Sequence, residues 1–242
     1  MKQLPSILIL LLVLSGSAFQ THLVFASEII QARFGDVNLN LPYPDELCLL
    51  KRKGPDEPMF SIHQEGQRKQ GNKLLSVWID CDSRQKLDRG IPVPKFNEWV
   101  IVVGSLSGNP RKEKIYPNLS REFFSKMIAK QMGAVSWSKT ADKVNQDVNK
   151  ILSKYLSEGK TIKIKEPISL GVLGITDSVH SGIILNVLVG QQHSNIIAIT
   201  SATLIKGAPI FFYHYRPYKN KSTVQSLLAK AKYYSIKLTH GN

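Results

Sequence analysis

The chain has 242 residues, with 32 Lys and Arg against 18 Asp and Glu, a formal net charge of +14 and a pI near 9.7. Hydrophobic residues make up 43% and charged residues 21%, which excludes a disordered tail. Two cysteines exclude a disulfide-dense scaffold and a four-cysteine zinc site.

Residues 1–26 have the layout of a cleavable export signal. Lys2 supplies the positive start, Leu4–Leu14 is apolar, and small residues lead to cleavage after Ala26, with Ala18 as an alternative. The apolar stretch is shorter than the roughly 17–25 residues that cross a bilayer. No later stretch approaches that length, so no transmembrane segment is expected after cleavage. The expected organisation is a signal over 1–26 and a single domain over 27–242. Removing the signal takes away Lys2 and no acid, so the positive charge belongs to the exported domain. In a periplasmic or secreted compartment Cys48 and Cys81 are expected to bond. That bond closes a long loop and is worth about 3–4 kcal/mol in the chain-entropy account.

Phe34–Leu41 alternates apolar and polar residues and reads as one half-buried strand, ended by Pro42 and Pro44. Glu46–Lys51 reads as a second short strand. Asp56-Glu57-Pro58 opens a helix that runs to about Gly66. Leu74–Cys81 is a strand, residues 83–95 a polar, proline-rich connection, and Trp99–Leu106 a continuously apolar central strand.

Two helices follow. The first is capped by Ser120, stapled by Leu119 and Phe124 and stopped by Gly133, with Phe123, Phe124, Met127, Ile128 and Met132 on its inner side. The second runs from about Ala141 to Ser157, with Val144, Val148, Ile151, Leu152 and Tyr155 as its apolar stripe. Thr161–Lys165 and Ile168–Ile175 are strands. Gly182–Val189, Ile196–Lys206 and Pro209–Tyr215 form an antiparallel meander. A last helix spans about Ser222–Leu238, with Val224, Leu227, Leu228 and Ala231 inward. The order gives a single α+β domain, a largely antiparallel sheet packed by helices.

No nucleophile elbow, zinc-protease motif, phosphate-binding loop or dinucleotide fingerprint occurs. No metal or cofactor is expected, and no catalytic residue stands out. The candidate binding residues are Asp80 and Asp82, which share one face if they lie on a strand, and the aromatic strand end Tyr213, His214, Tyr215 and Arg216, whose residue types suit anionic or aromatic ligands. The basic residues recur at Lys51-Arg52-Lys53, Arg68-Lys69, residues 111–114, 160–165, 219–221 and 230–237. An exported basic surface meets anionic envelope components or proteins rather than nucleic acid.

The segments Phe34–Leu49, Leu74–Cys81 and Thr203–Leu238 resemble a group of uncharacterised exported bacterial proteins. Those proteins share a strand, proline, cysteine opening, a strand, acid, cysteine segment, and a closing block matched by Gly207, Phe211-Phe212, Tyr215, Pro217-Tyr218 and the last helix. The element order is more loosely similar to Mog1/PsbP-like α/β/α sandwiches, with 107–160 as an addition. That likeness implies a binding or assembly factor without chemistry of its own. The expected function is therefore an exported, non-enzymatic binding or assembly protein of the cell envelope that engages an anionic partner. One rival is a hydrolase or other enzyme whose site is assembled from Asp80, Asp82, His180 and His214. Another is a secreted factor acting on a host, with glycosylation possible at Asn118 and Asn220 in a eukaryotic route.

Overall fold

The structure, a computed structural model, describes residues 29–91, 93, 96–106, 113–133, 142, 145–147, 149, 150, 162–165 and 167–242. The export segment lies outside them, as does most of the helix expected over 141–157, where residues 142, 145–147, 149 and 150 are helical.

Gly35-Asp36 is a turn rather than the middle of a strand, so the alternating segment folds back on itself. β1 (Ile29–Phe34) and β2 (Val37–Pro42) form an antiparallel hairpin. β3 (Leu47–Leu49), α1 (Glu57–Lys69) and β4 (Asn72–Asp80) follow. Residues 81–88 are helical, in place of the expected strand end at Cys81 and polar connection over 83–95. Asp80 accepts from the backbone N–H of Ser83 and starts α2 (Cys81–Asp88), an Asp cap that the apolar pattern does not show. β5 (Trp99–Ser105) and α3 (Arg121–Gly133) come next, with the Ser120 hydroxyl accepting from Phe123 N–H. β6 (Ile162–Ile164), β7 (Ile168–Ile175), β8 (Val179–Val189), β9 (Gln192–Ile205) and β10 (Ala208–Pro217) complete the strands. The β9–β10 turn consists of Lys206 and Gly207, both at positive φ, the twist that suits a two-residue hairpin. α4 (Lys221–His240) closes the chain, its Asn220 and Thr223 forming a reciprocal cap.

The main sheet has eight strands in the order β3-β4-β5-β10-β9-β8-β6, with β7 also on β8, and every pairing is antiparallel. The fold is thus the expected α+β arrangement. β5 is central, as its unbroken apolar run requires: Val100 and Val102 join one core while Ile101 and Val103 join the other. One face carries Phe60 of α1 and Phe124 and Ile128 of α3. The other carries the hairpin and Leu227, Ala231, Tyr234 and Leu238 of α4. Phe123 and Met127, expected to face inward on α3, are exposed, because only the Phe124–Ile128 side of the helix meets β8 and β9.

The hairpin sits on the sheet through Phe34, whose ring covers Gly104 of β5. A Cβ at Gly104 would penetrate that ring. Asn40 of β2 exchanges hydrogen bonds with Asn242, through its N–H to the side-chain oxygen at 2.8 Å and from the side-chain amide to its carbonyl at 2.9 Å. Cys48 and Cys81 form a disulfide closing a sequence separation of 33, which fastens β3 to the start of α2.

Gly104→Ala should lower stability by about 1–3 kcal/mol, as overpacking does, and Gly104→Ala with Phe34→Leu should recover most of the loss in urea denaturation. Reduction of the Cys48–Cys81 bond should lower stability by about 3–4 kcal/mol. Urea curves with and without reductant measure this, and an unchanged midpoint would contradict it.

Candidate functional site: a cationic cleft

Strand alternation separates the residues of the aromatic strand end. His214 points under α4 with Phe212, and its ring meets the rings of Phe212 at 5.8 Å and Tyr234 at 5.6 Å. Tyr213 and Tyr215 point to the α1 face, where Tyr215 stacks on Trp99 at 4.9 Å. Arg216 pairs with Glu98. These four side chains therefore do not form one surface.

Asp80 and Asp82 do not share a strand face either, because the strand ends between them. Asp80 accepts from the N–H groups of Ser83 and Asn97, each at 3.0 Å, and caps α2. Asp82 is exposed on α2. Of the four residues named for an assembled catalytic site, His180 and His214 lie on the α4 side of the sheet, and Asp80, opposite Leu47 at the end of β4, is taken up by its cap contacts. His180 Nδ1 lies 2.7 Å from the Ser201 hydroxyl, and neither ring bonds the other. Among the described residues no group of three or more His, Cys, Asp or Glu side chains is arranged to hold a metal ion.

Two depressions stand out among the described residues. The smaller, about 190 Å³, is lined by His214, Tyr234, Glu98, Lys230 and neighbouring residues. Its charges are matched internally: Lys230 lies 3.2 Å from Glu98 and 3.1 Å from Glu46, and Lys237 lies 3.0 Å from Asp45.

The larger, about 470 Å³, runs between β1 and the outer part of β4, with residues 49–52 along one side. Its floor is apolar, from Ile30, Ala32, Leu50, Phe60 and Leu75. Arg33, Lys51, Arg52 and Lys73 contribute cations, and among the described residues no acid lines it. Lys73 pairs with Glu113 at 2.5 Å and donates to the Arg33 carbonyl at 2.8 Å. Arg33 lies 3.9 Å from Asp36. Among the described residues Lys51 and Arg52 have no carboxylate partner. Arg52 instead lies over the Phe60 ring, 5.4 Å from its centre. The Lys51 backbone is held by the buried Asp56 carboxylate, which accepts its N–H at 2.7 Å and meets Arg84 at 3.2 Å.

The Lys51-Arg52-Lys53 run is visible in the sequence, but the cleft is not. Its other wall exists only because β1 turns back at Gly35-Asp36, and Gly-Asp followed by an alternating run was the signal for that turn. No protein-family model and no curated protein matches the chain. The class is therefore set by the fold alone, an antiparallel α+β domain with helices on both faces of its sheet.

His180 and His214 are almost completely buried. Burial pushes His180 down to about 4, helped by Lys232, and His214 down to about 3, helped by Lys230, His180 and Arg216. Both are neutral in the folded protein at pH 7, whereas the unfolded chain protonates them below about 6.5. The unfolded state therefore binds more protons as pH falls below 6.5, and stability drops by about 1.4 kcal/mol per pH unit for each group until the folded pKa is reached. Urea midpoints should be level above pH 7 and fall toward pH 5. His214→Leu should reduce that slope, and an unchanged slope would show that His214 is not its source.

Proposed function

We propose that the protein is an exported, non-enzymatic binding protein of the cell envelope that holds an anionic partner in the cleft between β1 and β4. The observation that carries this reading is the imbalance of charge there: among the described residues four cationic side chains and no acid line the cleft, and while Lys73 and Arg33 face Glu113 and Asp36, Lys51 and Arg52 have no carboxylate partner. The apolar floor raises the strength of each charge interaction by excluding water. The smaller depression, whose cations already face Glu98, Glu46 and Asp45, offers an anion much less.

Export is supported by the layout of residues 1–26 and by the disulfide, which suits an oxidising compartment. No helix among the described residues is long and apolar enough to cross a membrane. The likeness of the element order to Mog1/PsbP-like sandwiches supports binding rather than catalysis. The host-factor reading gains less. Asn220 is the helix cap of α4 and accepts from Thr223 N–H, so a glycan there would disturb the cap.

Dextran sulfate, a polyanion without a peptide backbone, should bind at low salt and lose affinity steeply as salt rises. Lys51→Glu with Arg52→Glu should weaken binding at least about tenfold, the loss of two charge-assisted contacts. The same change of net charge made at exposed Lys86 and Lys130 should have a much smaller effect. Equal losses in the two double variants, read by titration calorimetry, would show general charge attraction and no site.

A further inference from the structure

The sheet edges of this protein are treated unequally. Beside β6, the helical residues Asn145 and Asn149 turn their amides onto the strand. Asn145 donates to the Ile164 carbonyl at 2.8 Å and accepts from its N–H at 2.6 Å. Asn149 does the same with Ile162, at 2.7 and 2.8 Å. The outer edge of β2 is met by Asn242 in the same two-bond fashion at Asn40. The outer edge of β3 meets Arg84, which donates to the Leu49 carbonyl at 3.4 Å. β7 carries two register irregularities and a positive-φ Gly171, which interrupt a regular edge.

Among the described residues β1 has less cover: a single side chain, Lys73, meets its outer edge, at the Arg33 carbonyl. It pairs with β2 only. In an antiparallel pair the N–H and C=O groups of alternate residues turn outward. Gln31 is opposite Asn40, and the Asn40 main-chain groups point away from β1 to Asn242, so the Gln31 groups point away from β2. The Arg33 carbonyl, two residues on, also points outward and accepts from Lys73. The Gln31 N–H and C=O and the Arg33 N–H therefore face the cleft with no partner among the described residues. The Ser76 hydroxyl, 2% exposed, lines the same cleft and is also unpartnered.

We infer that the cleft receives an extended acidic polypeptide segment, which adds to β1 as a further antiparallel or parallel strand. The inference rests on the anionic-partner reading and deepens it by naming the class of partner. A strand bound there satisfies Gln31 and Arg33 through its main chain. Its alternate side chains meet two different surfaces. Apolar residues face Ile30, Ala32 and Leu75, while carboxylates face Arg33, Lys51, Arg52 and Lys73. An anionic lipid would match the cations and the floor but would leave the row of main-chain groups unpaired in an apolar cleft, which is costly. That difference favours the polypeptide.

The probe is the synthetic peptide acetyl-Glu-Val-Glu-Val-Glu-Val-Glu-amide, titrated into the disulfide-bonded protein, with its alternately N-methylated form as the control. Binding should protect the Gln31 and Arg33 amides from hydrogen exchange. Gln31→Pro removes one outward N–H without touching the β1–β2 ladder, a position where an edge strand accepts proline. Both that variant and the N-methylated peptide should bind about tenfold more weakly, the loss of one or two main-chain hydrogen bonds. If Gln31→Pro fails to fold, the N-methylated peptide gives the same information. Peptide binding insensitive to both changes, without amide protection, would overturn strand addition and leave the anionic reading standing. Failure of the peptide alongside tight binding of phosphatidylglycerol vesicles would overturn it in favour of a lipid. Failure of dextran sulfate, vesicles and peptide alike would overturn both readings.

Discussion

The arrangement of the candidate site depends on one contact, the Phe34 ring lying against the bare backbone of Gly104. Phe34 is fully buried, and its position fixes where the hairpin lies on the sheet. A side chain at 104 would lift the ring and with it β1, the wall of the cleft. The turn beside Phe34 is held from a second direction, since Gly35 donates to Glu113 at 2.6 Å and the same carboxylate meets Lys73. At the far end the hairpin is tied to the last residue through Asn40 and Asn242. An aromatic ring supplies the apolar stabilisation, and the polar contacts at either end set the register.

The opposite wall is built on charge. Asp56 is fully buried and would be costly without partners. It has the Lys51 N–H and the Arg84 guanidinium, and Arg84 in turn pairs with Asp88 and reaches the Leu49 carbonyl. A buried pair of this kind adds little net stability, but loss of either member is severe because the other is left uncompensated. Its structural effect is to hold the backbone at 49–51 while the Lys51 and Arg52 side chains stay out of the ion-pair network. The disulfide at Cys48 fastens the same segment to α2. The cleft is thus bounded by two pieces of chain, each anchored independently of any ligand, as a preformed site requires.

Much of the fold was legible because it depends on long regular patterns. The unbroken run of β5, the meander β8–β10, the Ser120 cap of α3 and the inward Leu227 and Ala231 all follow from period and capping residues. The misreadings came where a pattern was short or changed meaning. Phe34–Leu41 alternates so cleanly that Gly35-Asp36 passed as strand, yet the hairpin preserves the same alternation on both arms. Residues 81–88 are polar because only Ser83 and Arg84 of that helix are buried, so no apolar stripe marked it. Tyr234 and Leu238, core residues of α4, extend the stripe past the expected inward set. Tyr213, His214, Tyr215 and Arg216 looked like one cluster because adjacency in sequence hides the two faces of a strand. The cleft could not be read at all, since Arg33, Arg52 and Lys73 meet only through the docking of the hairpin.

Net charge is a weak guide to a site because it says nothing about pairing. Lys230 and Lys237, in the most basic of the described helices, face Glu46, Glu98 and Asp45 across the smaller depression, so part of the chain's positive charge is already neutralised there. Lys51 and Arg52 belong to a shorter run yet keep their charge available. The same contrast holds for the backbone. Asn145, Asn149 and Asn242 satisfy edges that must be kept from pairing with other chains, while among the described residues β1 is met by Lys73 alone, beside cations without a carboxylate partner. Among the described residues the Gln31 main chain and the Lys51 and Arg52 charges in one cleft place complementary demands on a single occupant, and a polypeptide with carboxylates on one side of its strand meets both.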